Sequence, residues 1–352
     1  MSAMLVLLAV PFLAAAALAV PQIGRMRAWV DLGAVLIVLA LALSLPFETD
    51  PTSPLLRHDH LAEFGAILVA LAAVARRSGI GGQLGLVGML VAAVSGHAVL
   101  TAAALALAVA AELAPRVRLV WYRVPLSGAG LGLVLFGSIL PSAPAASGCV
   151  LLGFGALAAA VPALLPLLPL LALRFAGPEL VGVGLAALLT CSAVAAFWSS
   201  DKSRLSWIVF GQAGAIAMAL GSRSPNAVFA GLILAVLLVL SDAARLLAKT
   251  QGLAGLLASG GLAGFPPFGV FPGLALVILA TAKQSPWLLV PLLSALAAMG
   301  WAVVALLPIP RIAASDRWSP AWIPLAAALL AGFLLPGSAE AWLHALVREV
   351  LR

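Results

Sequence analysis

Few side chains in this sequence can do acid–base chemistry, and where they stand is the first thing to explain. Asp242 and Arg245 lie three apart in an otherwise apolar run, so on a helix they share a face and can pair across one turn. Buried, they form a proton-conducting or a structural ion pair; at a helix end in the interface they only mark topology. Lys202 opens another apolar run and reads as a positive anchor or coupling residue rather than a proton carrier. Glu112 closes a run beside Pro115 and Arg116 and reads either as a proton-path candidate or as interfacial, the reading that Asp31 and Glu63 also get, a few residues inside their runs. His97 reads as a neutral interfacial histidine. Arg174 and Glu179 bracket Phe-Ala-Gly-Pro at 175–178, either a helix end at a membrane cavity or an ordinary loop. A charge at the centre of a bilayer costs about 2.5–3.5 kcal/mol on insertion scales, so each is a functional candidate by default.

Redox, nucleotide and metal chemistry find no foothold. The sequence has no P-loop, no dinucleotide fingerprint, no C-x-x-C and no H-E-x-x-H. Cys149 and Cys191 each sit in an apolar run and read as small packing residues. His58 and His60 flank Asp59, but no cysteine or further histidine is near to complete a metal site. No cofactor is expected on this chain, and no catalytic centre.

The elements that must position these residues follow from composition. Of 352 residues, 64% are hydrophobic and 9% charged, with mean hydropathy +1.19. So few charges cannot cover a water-facing surface, which excludes a soluble enzyme, a nucleic-acid binder and a disordered chain. The net charge of +7 is explained by basic loops facing an anionic leaflet rather than by nucleic acid. Apolar spans are expected at 3–20, 29–47, 61–75, 80–96, 98–114, 124–140, 205–220, 226–241, 252–282, 287–307 and 322–336, with a longer stretch at 148–198. The first is a membrane helix rather than a signal peptide, since it lacks a basic start. Residues 1–337 form one transmembrane helical domain, and 338–352 a C-terminal amphipathic helix lying in the interface.

Arginines at 25 and 27, at 76 and 77, and at 116, 118 and 123 alternate with acidic or neutral loops, which puts the N-terminus outside in a bacterial inner membrane. From Arg123 to Lys202 the crossings must then be even, although simple counting gives three. The run at 161–169, with Pro162, Pro166 and Pro169, is therefore not a plain span. A second interruption is stronger: Gly264, Pro266, Pro267, Gly269, Pro272 and Gly273 fall within ten positions and cannot be continuous α-helix. No charge stands between Lys249 and Lys283, so this break is expected deep in the membrane, where discontinuous helices place ions or protons. The fold class is an all-α polytopic membrane protein with about 12–14 transmembrane helices, some of them discontinuous.

Residues 264–271 read G-F-P-P-F-G-V-F. Residues 202–207 read K-S-R-L-S-W, with Gln212 and Gly214 following, and 56–61 read L-R-H-D-H-L. Together these resemble the antiporter-like membrane subunits of respiratory complex I, group 4 membrane-bound hydrogenases and Mrp antiporters. The first piece looks like that family's broken helix, the second like its K-R-x-L-A-Y…Q-x-G helix start. The likeness is clear over 179–307. It implies an antiporter-like inverted-repeat bundle, and partners that are other membrane and redox subunits of a hetero-oligomeric complex, with lipid around it and quinone nearby. It also implies a charged mid-membrane proton path, and there this sequence departs from the pattern. Leu157 stands at the family's lysine of the first broken helix. Pro272, Gly273 and Leu274 stand where a lysine or glutamate follows the second. Ser241, Asp242 and Arg245 replace the expected asparagine and histidine, and a central lysine is missing. The expected function is a membrane subunit of a complex I-like or hydrogenase-like, redox-driven proton-translocating complex whose own channel is degenerate. The alternatives are a stand-alone secondary transporter of a small solute or ion, and an inorganic-carbon uptake subunit.

Overall fold

The computed structural model describes residues 3–20, 26–45, 59–75, 79–95, 97–114, 123–140, 143–161, 164–165, 167–175, 177–248, 252–267, 269–304, 320–334 and 337–351. Among these, sixteen α-helices and no β-strand are found. That is what a chain poor in water-binding side chains must do, because a helix pairs its own backbone groups where lipid offers none. The prolines 162 and 166, His58, and the arginines at 25, 57, 76, 77, 116, 118, 311 and 317 lie outside the described residues.

The chain divides into two compact units, Met1–Ala176 and Gly177–Arg352. The first holds α1 (Ala3–Ala19), α2 (Arg27–Ser44), α3 (His60–Ala75), α4 (Gly79–Val94), α5 (Ala98–Leu113), α6 (Arg123–Ile139), α7 (Ala143–Ala160) and α8 (Leu168–Phe175). The second holds α9 (Glu179–Ala193), α10 (Asp201–Gly221), α11 (Pro225–Ala248), α12 (Gly252–Ala263), α13 (Phe271–Gln284), α14 (Leu289–Val304), α15 (Trp322–Phe333) and α16 (Gly337–Val350). A π-turn, Val194–Trp198, extends α9. Among the described residues, five segments are long and apolar enough to cross a bilayer by themselves: Arg27–Ser44, Glu179–Trp198, Ser203–Gly221, Pro225–Leu247 and Pro286–Val304. Most of the others are shorter apolar helices.

Both expected interruptions are present. In the first unit α7 stops at Ala160 and α8 starts at Leu168. Between them single turns replace the helix: the Leu164 amide donates to Val161 and the Leu167 amide to Leu164, each at 3.0 Å. In the second unit the apolar run splits into α12 and α13.

Packing within each unit relies on small residues, since lipid supplies no hydrophobic force to press helices together. In the first unit α6 and α7 meet at paired glycines. A Cβ on Gly130 would stand 2.9 Å from the Gly153 carbonyl oxygen, and one on Gly153 would stand 2.6 Å from that of Gly130. Gly184 on α9 and Gly214 on α10 repeat the device in the second unit, where a Cβ on Gly214 would lie 2.7 Å from the Gly184 oxygen. Gly214 is thus kept small by a neighbouring backbone. Helix α11 lies at the centre of its unit, with α10, α12, α13, α15 and α16 against it. Ala244, Ala258 and Leu325 close a core there with Leu257 and Trp322. Helix α16 buries Leu343, Leu346 and Val347 and leaves Glu340, His344, Arg348 and Glu349 exposed. His344 stacks on Phe229 of α11, ring centroids 5.0 Å apart.

Candidate functional site

The break between α12 and α13 is built from sequence chemistry. In a helix each carbonyl accepts from the amide four residues on, and Pro266 and Pro267 have no N–H. The carbonyls of Leu262 and Ala263 therefore lose their helical donors. Gln212, fully buried on α10, supplies one replacement: its Nε2 donates to the Leu262 carbonyl at 3.2 Å and lies 3.5 Å from Met299 Sδ on α14. Its Oε1 is buried with no hydrogen-bond partner among the described residues. The chain then folds back on itself. The Val270 amide donates to the Gly261 carbonyl at 3.0 Å, and Phe265 to Gly260 at the same distance. Gly264 and Gly269 hold φ of 88° and 68°, a region that glycine enters without steric cost. The Pro266–Pro267 bond is cis. Phe265, Pro266 and Pro267 are exposed on the surface of the unit, whereas Gly269 and Val270 are buried.

Asp242 and Arg245 do pair. Arg245 Nε and Nη2 both reach Asp242 Oδ1, at 2.9 and 2.6 Å, with Asp242 buried and Arg245 partly so. Both stand near the C-terminal end of α11, Arg245 in its last turn. Lys202 lies in the first turn of α10; its side chain is outside the described residues. Leu157 is fully buried and Leu274 nearly so.

In the first unit Glu112 is half-buried and lines a small cavity of about 40 Å³ with Ala72, Gly85, Met89, Val161 and Leu164. It therefore faces the α7–α8 interruption. Asp31 and Glu63, read from sequence as interfacial, are packed inside this unit, 6% and 4% exposed. Asp31 Oδ1 accepts from Gln83 Nε2 at 2.7 Å, and Glu63 Oε2 lies 3.0 Å from His60 Nδ1.

Asp59 caps α3, its Oδ1 accepting from the Ala62 amide at 2.7 Å. The same oxygen meets Arg174 Nη2 at 3.2 Å, and Arg174 Nη1 donates to the Ser95 carbonyl at 2.9 Å. Arg174 stands in the last turn of α8 and Glu179 opens α9, and the Arg174 side chain ties α8 to the starts of α3 and α5. Among the described residues no group of three His, Cys, Asp or Glu could hold a metal. Replacing Asp59 by Ala removes a cap and leaves a largely buried guanidinium short of its anion. The expected loss is about 2 kcal/mol, read as a lowered thermal midpoint in detergent. Asp59→Asn keeps the cap and should fall between the two.

No protein-family model matches the chain, and no curated protein matches it in sequence. In fold it is similar to a chain in the membrane-bound sulfane sulfur reductase, an archaeal respiratory membrane complex, at 14% identity and TM-score 0.73, with 99% of this chain and 98% of that one covered. It is similar to a chain of respiratory complex I from Thermus thermophilus at 18% identity and TM-score 0.69, with 99% of each covered. It also aligns with a chain of the Mrp complex from Dietzia sp. at 18% identity and TM-score 0.77, covering 98% of this chain and spanning about half, 52%, of that one. This is an integral membrane protein with the fold of the antiporter-like subunits of such complexes.

Proposed function

We propose that this chain is a membrane subunit of a redox-driven proton-translocating complex and that its own channel is degenerate. The observation that supports the reading is a fold like that of chains in respiratory membrane complexes, with a helix break served by a neutral amide. Gln212, not an ammonium, serves the carbonyl freed by Pro266. Leu157 and Leu274 fill buried positions. A proton cannot cross a low-dielectric core without titratable groups or water at close intervals. The Asp242–Arg245 pair then holds α11 together rather than passing protons. Lys202 serves as an anchor at the start of α10, and Glu112 is a remnant facing the first break. The partners are other membrane and redox subunits, with lipid around the chain and quinone nearby. Arg27 and Arg123 face the inside of a bacterial inner membrane, and the N-terminus faces out.

The test is proton flux into liposomes carrying the purified chain and an internal pH-sensitive dye. Under an imposed potential, acidification no faster than in protein-free liposomes is expected. Flux well above that background would overturn the degenerate channel.

A further inference from the structure

We propose that the end of the second unit where α9 begins and α10 and α13 finish binds the phosphodiester headgroup of a membrane phospholipid, held by Arg223, Thr281 and Ser285. A cavity of about 140 Å³ lies there, with Pro178, Ser222, Thr281, Gln284 and Ser285 on its wall. Thr281 is 8% exposed. A threonine on a helix commonly returns its hydroxyl to the carbonyl one turn back, as Thr101 and Thr190 do here. Among the described residues the Thr281 hydroxyl makes no such bond, and neither does that of Ser285, so both remain as donors on the cavity wall. Gln284 is engaged through its nitrogen: Nε2 donates to the Ser222 carbonyl at 2.9 Å, which leaves Oε1 to accept.

The charge at this end favours an anion. Arg223 follows Ser222 and is, among the described residues, the one non-glycine at positive φ, 52°. That conformation is costly for a residue with a Cβ. Its side chain reaches back to the start of α9, where Nη2 lies 3.9 Å from the Cβ that Gly177 would carry, beside Pro178 on the cavity wall. The other charged groups here are Glu179 and Lys283, both exposed. Glu179 Oε2 accepts from the Gly177 amide at 3.0 Å, so its carboxylate is turned onto backbone. Lys283 stands between Thr281 and Gln284 in the last turn of α13. Ala227, in the first turn of α11, also lines the cavity and brings the positive end of that helix to it. Hydroxyls, a guanidinium and an ammonium are donors with which an oxyanion can be satisfied.

The surroundings of these polar groups favour a lipid over a free phosphate. Val181, Met218 and Leu288 complete the cavity wall. Val183 on α9 and Val290 on α14 are exposed, and in a bilayer they run alongside acyl chains. Trp287, next to Leu288, is exposed as well, and an indole in that setting sits at headgroup level. A headgroup in the cavity therefore has its tails against apolar surface. This inference concerns a lipid contact and holds whether or not the chain conducts protons.

The test is native mass spectrometry of the whole chain, released from detergent micelles into which phosphatidylglycerol is titrated, with dioleoylglycerol as the lipid that lacks a phosphate. Phosphatidylglycerol should be retained and dioleoylglycerol should not. Arg223→Gly suits the positive φ, so its thermal midpoint without added lipid should not fall, while phosphatidylglycerol should bind about tenfold more weakly for the loss of a charge-assisted hydrogen bond. Thr281→Val keeps the shape of the side chain and should weaken the lipid by a similar factor. Equal retention of the two lipids, or equal retention of phosphatidylglycerol by the parent chain and Arg223→Gly, would overturn the site. A thermal midpoint raised by inorganic phosphate alone as much as by phosphatidylglycerol would assign the cavity to free phosphate and overturn the lipid. None of these measurements reads proton flux, so a failure here is distinct from a failure of the liposome experiment.

Discussion

Gly269→Ala is expected to cost about 2–6 kcal/mol and to prevent the chain from accumulating in the membrane. Two effects add. The residue holds φ of 68°, where an L side chain is strained by about 1–3 kcal/mol. A Cβ there would also run into the backbone of Gly261, which has already accepted the Val270 amide. Backbone cannot rotate away as a side chain can, so the overlap must be relieved by pulling α12 and α13 apart, a further cost of about 1–3 kcal/mol. Gly264→Ala is the informative comparison. Its φ is also positive, but the atom it meets is the Cδ1 end of Leu274. Only the backbone term should remain, about 1–3 kcal/mol. Gly128→Ala, with open space around it, should be neutral or slightly stabilising. Yield of folded protein and thermal midpoint in detergent check all three. If Gly269→Ala were no worse than Gly264→Ala, the fold-back onto Gly261 would not be what closes the break.

The second large effect is expected at Arg245. Arg245→Ala removes the guanidinium that places two donors on one oxygen of Asp242. The carboxylate that remains is 7% exposed. Stripping one partner from a buried pair costs about 3–5 kcal/mol, because the remaining charge loses its bidentate counter-ion. Replacing both, as Asp242→Leu with Arg245→Met, should recover most of that loss. Double-mutant thermal unfolding measures it. A double variant as unstable as Arg245→Ala alone would mean that α11 needs the acid itself, not relief from a stranded charge.

Much of the architecture was legible before any coordinates. Pro and Gly interrupt helices wherever they stand, so the splits near 161–169 and at 264–273 follow from residue type alone. Apolar length marks the spans, and the expected 61–75 and 98–114 coincide with His60–Ala75 and Ala98–Leu113 within a residue. The pairing of Asp242 with Arg245 is local, three residues apart on one helix, and was equally readable. Gln212 was recognised only as part of a motif. Its role could have been found by asking which buried amide answers the carbonyls that Pro266 and Pro267 release.

What the sequence determined by itself is that this chain lives in lipid, as helices of which two are interrupted, with almost no charge to spare. Which faces of those helices look inward was decided by the tertiary structure. In water, an apolar stripe opposite a polar one reveals the buried face. In lipid both faces are apolar, so that contrast disappears. Asp31 and Glu63 could therefore be placed along their helices but not around them, and both proved to be enclosed. The same holds for contacts between distant segments. Asp31 with Gln83, Arg174 with Asp59 and Gln212 with Leu262 are 52, 115 and 50 residues apart, and no local rule of spacing joins them. They exist because the packing of helices distant in sequence decides which faces meet.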